Sequence, residues 1–129
     1  RVIYCGENDE RNVHADKYLH SLPDIEEIPN NTSDKYMVIA TQGVGDVATL
    51  ISALSNSPSY VAFVGSRRKF ASYKNKLLEA GIEQEEIGKV HSPAGLNINA
   101  VTPEEIALSI MAEIVQRRRS IKIIETLDE

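Results

Sequence analysis

Two uninterrupted apolar runs dominate the middle of the chain. Tyr36–Thr41 and Tyr60–Val64 contain no charged side chain and are bounded by turn-forming residues. Continuous runs of this length are typical of strands buried on both faces, as in a parallel sheet. Arg1–Cys5 predicts a further buried strand, and Ile25–Ile28 predicts a brief one.

Apolar residues at helical spacing follow both central runs. The spacing i, i+3, i+4, i+7 between residues 47 and 54 predicts an amphipathic helix, for which Asp46 is the candidate N-cap. Lys69–Ala80 predicts a cationic helix that is closed by Gly81. Two weaker patterns predict a short helix over Val13–Leu22 and a helical turn over Ile82–Val90.

The clearest local signal is a capping box at the start of the last helix. Thr102 suits the N-cap, Pro103 the first helical position and Glu105 the third. An apolar stripe follows, and three arginines suit its carboxyl end: Ile106, Ala107, Ile110, Ile114, Arg117, Arg118 and Arg119. We predict one domain over residues 1–120 and a tail over 121–129, either a strand or loose.

Strands and helices therefore alternate, which predicts an α/β fold with a parallel sheet. The net charge of −5 provides no overall basic field, so neither nucleic acid nor an anionic membrane is an expected partner. Cys5 is the only cysteine, and no apolar run has the length of a membrane span. These features predict a protein of the cytoplasm.

Three loops are expected at the carboxyl ends of strands, where parallel sheets bind ligands. In Gly65–Lys69, Ser66 can cap a helix whose free N–H groups attract an anion, and Arg67, Arg68 and Lys69 add positive charge. The alternative is a solvated basic patch. The second loop is TQGVGD, with Gly43, Gly45 and Asp46, and the third, His91–Leu96, contains Pro93 and Gly95.

The sequence predicts no catalytic residue and no metal site. Its three histidines lack metal-ligand spacing, and Cys5 is expected to be a buried hydrophobe. Neither GxSxG nor a P-loop is present.

Three blocks together carry a family resemblance: ATQGVGD, YVAFVGSRRK and SPAGLNINAVTPEEIALSIMAEIV. Their order and spacing over residues 38–115 resemble the C-terminal, Rossmann-like domain of the XdhC/CoxF family. The family comprises accessory proteins of xanthine dehydrogenase and carbon monoxide dehydrogenase. The resemblance implies a three-layer sandwich.

The resemblance also implies a function. Family members are chaperones that bind molybdenum cofactor, a pterin with a phosphate, assist its sulfuration and deliver it to a molybdenum hydroxylase. A client hydroxylase and a sulfurtransferase are thus the implied partners. A nucleotide- or NAD(P)-binding regulatory module and a reductase are the alternatives, and the lack of GxGxxG weighs against both.

Two departures from the family pattern are visible. Nothing matches the family's N-terminal domain with its cysteine motif, and RVIYCGEN resembles the second strand of a Rossmann-like sheet, without the first strand and its glycine turn. Either RVIYC takes the central place or another chain fills it. An oligomer or a complex is therefore expected.

Overall fold

The computed structural model describes residues 2–6, 15–19 and 34–127. Its four strands form two parallel pairs. Strand β1 (Ile3–Cys5) pairs with β2 (Lys17–Leu19), and β3 (Tyr36–Ile39) pairs with β4 (Tyr60–Phe63). The predicted strand at residues 25–28 lies outside the described residues.

The described residues also form five helices. They are α1 (Asp46–Ser55), α2 (Arg67–Ala71), α3 (Lys74–Glu79), α4 (Gln84–Gly88) and α5 (Pro103–Leu127). Helix α1 lies between β3 and β4, and the other four follow β4. Within the described ranges, none of these helices is both long enough and apolar enough to cross a membrane.

Strand β4 is the centre of the fold because all four of its residues are buried. Val61 and Phe63 belong to a core shared with α1 to α4, whereas Tyr60 and Ala62 pack with residues of α5. Successive side chains of a strand point to opposite faces, so this alternation places helices on both sides of the sheet. The predicted α/β, three-layer architecture with a parallel sheet is confirmed.

The two strand pairs are not joined to each other by ladder hydrogen bonds in the described part of the chain. Strand β4 gains a second neighbour through a parallel bridge between Ala62 and His91, but among the described strands β1 lies beside β2 only. Among the described residues, RVIYC therefore does not take the central place in a single sheet, which is one of the two predicted alternatives.

Two expectations near the amino end are wrong. The segment expected to be helical, Val13–Leu22, contains β2, because parallel pairing with β1 decides its conformation and two leucines three apart are a weak helix signal. Cys5, which the sequence predicts to be buried, is exposed at the end of β1. Because β1 has a single described neighbour strand, little covers this residue.

Two helix boundaries also differ from the predictions. The expected helix over Lys69–Ala80 is divided into α2 and α3, with Ser72 and Tyr73 between them. Helix α5 continues to Leu127, so neither a strand nor a loose tail begins at residue 121. The domain boundary drawn at residue 120 stays a prediction.

Two capping predictions are confirmed, one at the start of α5 and one at the end of α3. The amide of Glu105 donates to Thr102 Oγ1 at 3.2 Å, and the Thr102 amide donates to the Glu105 carboxylate at 2.9 Å. Gly81 adopts φ +89° after α3, a conformation that glycine accepts without strain.

Candidate functional site

Three loops leave the same edge of the sheet, because the strands that precede them are parallel. Thr41–Asp46 follows β3, Gly65 and Ser66 follow β4, and the loop beginning at Ser92 follows the bridge at His91. This is the edge at which open parallel sheets bind ligands.

Asp46 connects the first two loops. Only 4% of its surface is exposed, and its carboxylate accepts hydrogen bonds from Thr41 Oγ1, from the Gly43 amide at 3.2 Å and from the Tyr73 hydroxyl at 2.7 Å. The predicted role of N-cap is wrong: Gly45 precedes the helix with φ +70°, and Asp46 is its first residue. The side chain turns inward because buried donors are available there.

Lys69 completes this cluster from the other loop. Its Nζ lies 3.4 Å from Asp46 Oδ2, and 39% of its side chain is exposed. Burial by itself would raise the pKa of Asp46, but hydrogen bonds from Thr41, Tyr73 and Lys69 outweigh burial and lower this pKa. Asp46 is therefore held as a carboxylate, and the Lys69 charge is largely matched within the protein.

Two further cations at this edge, Arg67 and Arg68, are both exposed in the first turn of α2. Ser66 caps this helix as predicted, since its Oγ accepts from the Lys69 amide at 3.1 Å. Cations at a helix start are unfavourable to the helix dipole. An anion bound between them would reverse that effect.

The glycines of the first two loops differ in the space that surrounds them. Gly45 has open space where a Cβ would stand, and a Cβ on Gly43 would come within 3.4 Å of Lys69 Nζ. A Cβ on Gly65 would lie 2.6 Å from the ring of Phe63. Packing against the core thus explains Gly65, whereas Gly45 leaves the backbone open to a ligand.

The third loop packs against helix α5 rather than against the cluster around Asp46. Pro93 is exposed and follows a cis peptide bond, and Gly95 lies against α5, where its Cβ would come within 2.9 Å of the Ser109 backbone. No hydrogen bond or ion pair among the described residues links Pro93 or Gly95 to the cluster around Asp46. The structure therefore brings together eight of the ten predicted site residues: Gly43, Gly45, Asp46, Gly65, Ser66, Arg67, Arg68 and Lys69.

A second polar cluster lies where α5 meets the sheet. One oxygen of Glu113, Oε1, accepts from the Tyr60 hydroxyl at 2.6 Å and from the Gly95 amide at 3.3 Å. His91 Nδ1 lies 3.2 Å from the same oxygen, and its ring is 4.8 Å from that of Tyr60. Burial, and then the Glu113 carboxylate, raise the pKa of Tyr60 far above its usual value.

Sequence reasoning missed both clusters. Thr41 and Tyr73 contact Asp46 from 5 and 27 residues away, and Glu113 is 53 residues from Tyr60. Only the buried position of Tyr60 inside an apolar run signalled that its hydroxyl needs a partner.

One cavity lies at the opposite end of β4. It measures about 220 Å³ and is lined by residues such as Ser59, Lys89 and Arg117, outside the predicted edge. Among the described residues, no group of three His, Cys, Asp or Glu side chains is placed to hold a metal ion.

The chain is similar to two curated bacterial proteins. It is 33% identical over 104 residues to the uncharacterized protein YqeB of Escherichia coli (strain K12), covering 81% of this chain and 18% of that protein. It is 34% identical over 88 residues to a protein of Bacillus subtilis (strain 168) named as a probable xanthine dehydrogenase subunit, covering 67% of this chain and 24% of the relative. The chain thus spans a quarter or less of the length of these curated relatives.

A solved structure has the same fold. The crystal structure of a xanthine dehydrogenase from Bacillus halodurans superposes with a TM-score of 0.73 at 24% identity, covering 95% of this chain and 38% of that one. The XdhC Rossmann domain matches residues 2–114. This match covers most of the chain, which therefore belongs to the XdhC Rossmann domain family.

Proposed function

We propose that the chain acts as an accessory protein of a molybdenum hydroxylase and binds the phosphate of its cofactor at the carboxyl edge of the sheet. The observation that carries this proposal is the cluster around Asp46. It fixes the loop after β3 to the turn after β4, where Arg67 and Arg68 directly precede Lys69 in α2. Family membership and the xanthine dehydrogenase name of one relative support the accessory role.

The residues at this edge suit a phosphate group. Arginine pairs with phosphate through two parallel hydrogen bonds, and Gly45 permits the approach of a ligand to the backbone. Lys69 is a weaker candidate than expected, since Asp46 already matches its charge. Molybdenum cofactor supplies the redox-active metal on a phosphorylated pterin, and the residues here would hold its phosphate.

The client would be an apo-hydroxylase of the xanthine or carbon monoxide dehydrogenase type, and a sulfurtransferase would be the partner in sulfuration. We place the protein in the cytoplasm, where such enzymes mature. A complex is also proposed, because the two strand pairs share no ladder in the described residues and the edge of a sheet can accept a further strand.

Isothermal titration calorimetry tests the ligand site. The 129-residue chain is titrated with molybdenum cofactor, NADPH, ATP and inorganic pyrophosphate. The Arg67→Ala/Arg68→Ala variant should lose about tenfold or more in affinity for the true ligand, because each charge-assisted hydrogen bond contributes roughly 1.5–3 kcal/mol.

Lys74→Ala/Lys76→Ala is the matched control, because it removes two exposed cations from α3, outside the edge. Equal loss in both variants would show only long-range attraction and would overturn the proposed site. Preference for NADPH or ATP over molybdenum cofactor would favour the nucleotide-binding alternative.

A further inference from the structure

Helix α5 carries an apolar stripe that does not contact the sheet. Leu108, Met111 and Val115 lie on this stripe and are 63%, 56% and 48% exposed. The same helix uses Ile110 and Ile114 to pack against Tyr60 and Ala62. The 25-residue helix is therefore apolar on two sides, and only one of them is covered within the described fold.

The exposed stripe has the spacing of a helix–helix seam. Positions 104, 108, 111, 115 and 118 follow one another at intervals of four and three, so their side chains share a single face. We call these five positions the seam. An isolated apolar side chain on a surface needs no explanation, but a row of three on one helix indicates an interaction surface.

The charges at the two ends of the seam are opposite. Glu104 stands at its start and Arg118 at its end, and both are exposed. An antiparallel copy centred on Met111 places each Glu104 opposite the second copy's Arg118, and each Leu108 within about 1.5 Å along the axis of the second copy's Val115. A parallel copy would place like charges together, which is destabilising.

We propose that two copies of this chain associate through the seam, with antiparallel α5 helices about a two-fold axis at Met111. A two-fold interface must be complementary to itself, and the seam is complementary to itself in both its apolar and its charged positions. The seam spans about 21 Å of helix, from the rise of 1.5 Å per residue. An interface built on so short a seam is expected to be weak, since stable interfaces bury about 800 Å² per partner, so we expect the dimer to dissociate on dilution.

Sedimentation velocity on the 129-residue chain tests the interface. Wild type should pass from monomer to dimer as its concentration rises through the micromolar range. Glu104→Arg and Arg118→Glu should each raise the dimer dissociation constant about tenfold, since the symmetry repeats each altered pair. Combining the two substitutions restores opposite charges and should restore the wild-type constant.

A crosslinking experiment fixes the geometry. In a Cys5→Ala background, Met111→Cys should give a disulfide-linked dimer on mild oxidation, because the two thiols meet at the axis. Gln116 is also exposed on the same helix but lies off the seam, and Gln116→Cys should remain monomeric on a non-reducing gel. Circular dichroism checks that each variant retains the helix content of wild type.

Three outcomes would overturn the proposal: a wild-type monomer at every concentration, a charge swap that fails to restore association, or equal crosslinking at positions 111 and 116. The first two would mean that the seam does not join two copies of this chain in the proposed arrangement. The proposed ligand site at Arg67 and Arg68 is independent of all three outcomes, because those residues lie on α2.

Discussion

Lys69 Nζ lies 3.4 Å from Oδ2 of Asp46, and this contact joins the two loops that follow the central strands. Asp46 also holds the Gly43 amide and the Tyr73 hydroxyl, so one buried carboxylate fixes the backbone of the first loop and the start of α3. The positions of Arg67 and Arg68 depend on this arrangement, because they precede Lys69 directly in α2.

Asp46→Asn should lower the free energy of unfolding by about 1.5–3 kcal/mol, the range for hydrogen bonds to a charged group. An amide offers one acceptor oxygen where the carboxylate offers two, and it leaves Lys69 without its opposite charge. Urea denaturation at pH 7 measures this change. A loss smaller than about 0.5 kcal/mol would contradict the role given to Asp46.

The same carboxylate makes stability depend on acid pH. The pKa of Asp46 is lower in the folded chain than its unfolded value of about 3.9, so its contribution is complete above that value. The contribution is lost as the pH falls through the lowered pKa. Between pH 5 and pH 2, wild type should lose more stability than Asp46→Asn, and parallel curves for the two proteins would refute the assignment.

Substituting alanine for each of three glycines should separate the stability lost through close packing from the stability lost through an unfavourable backbone conformation. Gly45→Ala meets open space and should cost about 1–2 kcal/mol, because its φ is +70°. Gly95→Ala combines φ +92° with a contact of 2.9 Å to the Ser109 backbone, so its cost should be larger. Gly65→Ala strikes the buried ring of Phe63 at 2.6 Å and should also cost more than Gly45→Ala. Thermal unfolding gives the order, and equal losses at all three positions would contradict it.

The elements with strong local signals were predictable from sequence. Tyr60–Val64 and the capping box at Thr102 are recognisable because burial on both faces and reciprocal capping each leave a local pattern. The strand at residues 17–19 is not recognisable from the sequence, since pairing with β1 rather than local preference decides its structure. Distant pairing leaves no periodic signal in one short segment.

The candidate site was predictable in its location but not in its chemistry. Parallel strands place the loops after β3 and β4 at one edge of the sheet. The location of the site can therefore be predicted from the topology of the strands alone. The inward turn of Asp46 required the hydroxyl of Tyr73, which stands 27 residues away on the link between α2 and α3. The sequence alone suggests that Gly65 is open to a ligand, whereas Phe63 fills the space beside it.

The Tyr60–Glu113 hydrogen bond should couple strand β4 to helix α5. In a double-mutant cycle, Tyr60→Phe and Glu113→Gln should interact by about 1–3 kcal/mol, because the bond is charge-assisted and Tyr60 is 2% exposed. Chemical denaturation of the four proteins gives the coupling energy. Additive losses would mean that the hydroxyl and the carboxylate act independently.

Tyr60 should also set the alkaline limit of stability. Its pKa is raised in the folded chain, so its contribution is complete below the unfolded value of about 10 and is lost as the pH rises toward the folded value. Above pH 10, wild type should lose stability more steeply than Tyr60→Phe. Tyr36→Phe, which removes a less buried hydroxyl from the neighbouring strand, serves as the control.

Thr102→Ala should destabilise the start of α5 by about 1 kcal/mol, because it removes the side-chain acceptor of the Glu105 amide. Thr102→Ser retains a hydroxyl in the same place and should restore most of the loss, which separates capping from the packing of the threonine methyl group. Hydrogen exchange of the amides in residues 104–106 reports on this end of the helix directly. If the alanine and serine variants exchange at the same rate, the capping box does not stabilise α5. The amides near Ile114 should exchange unchanged, since fraying is confined to the first turn.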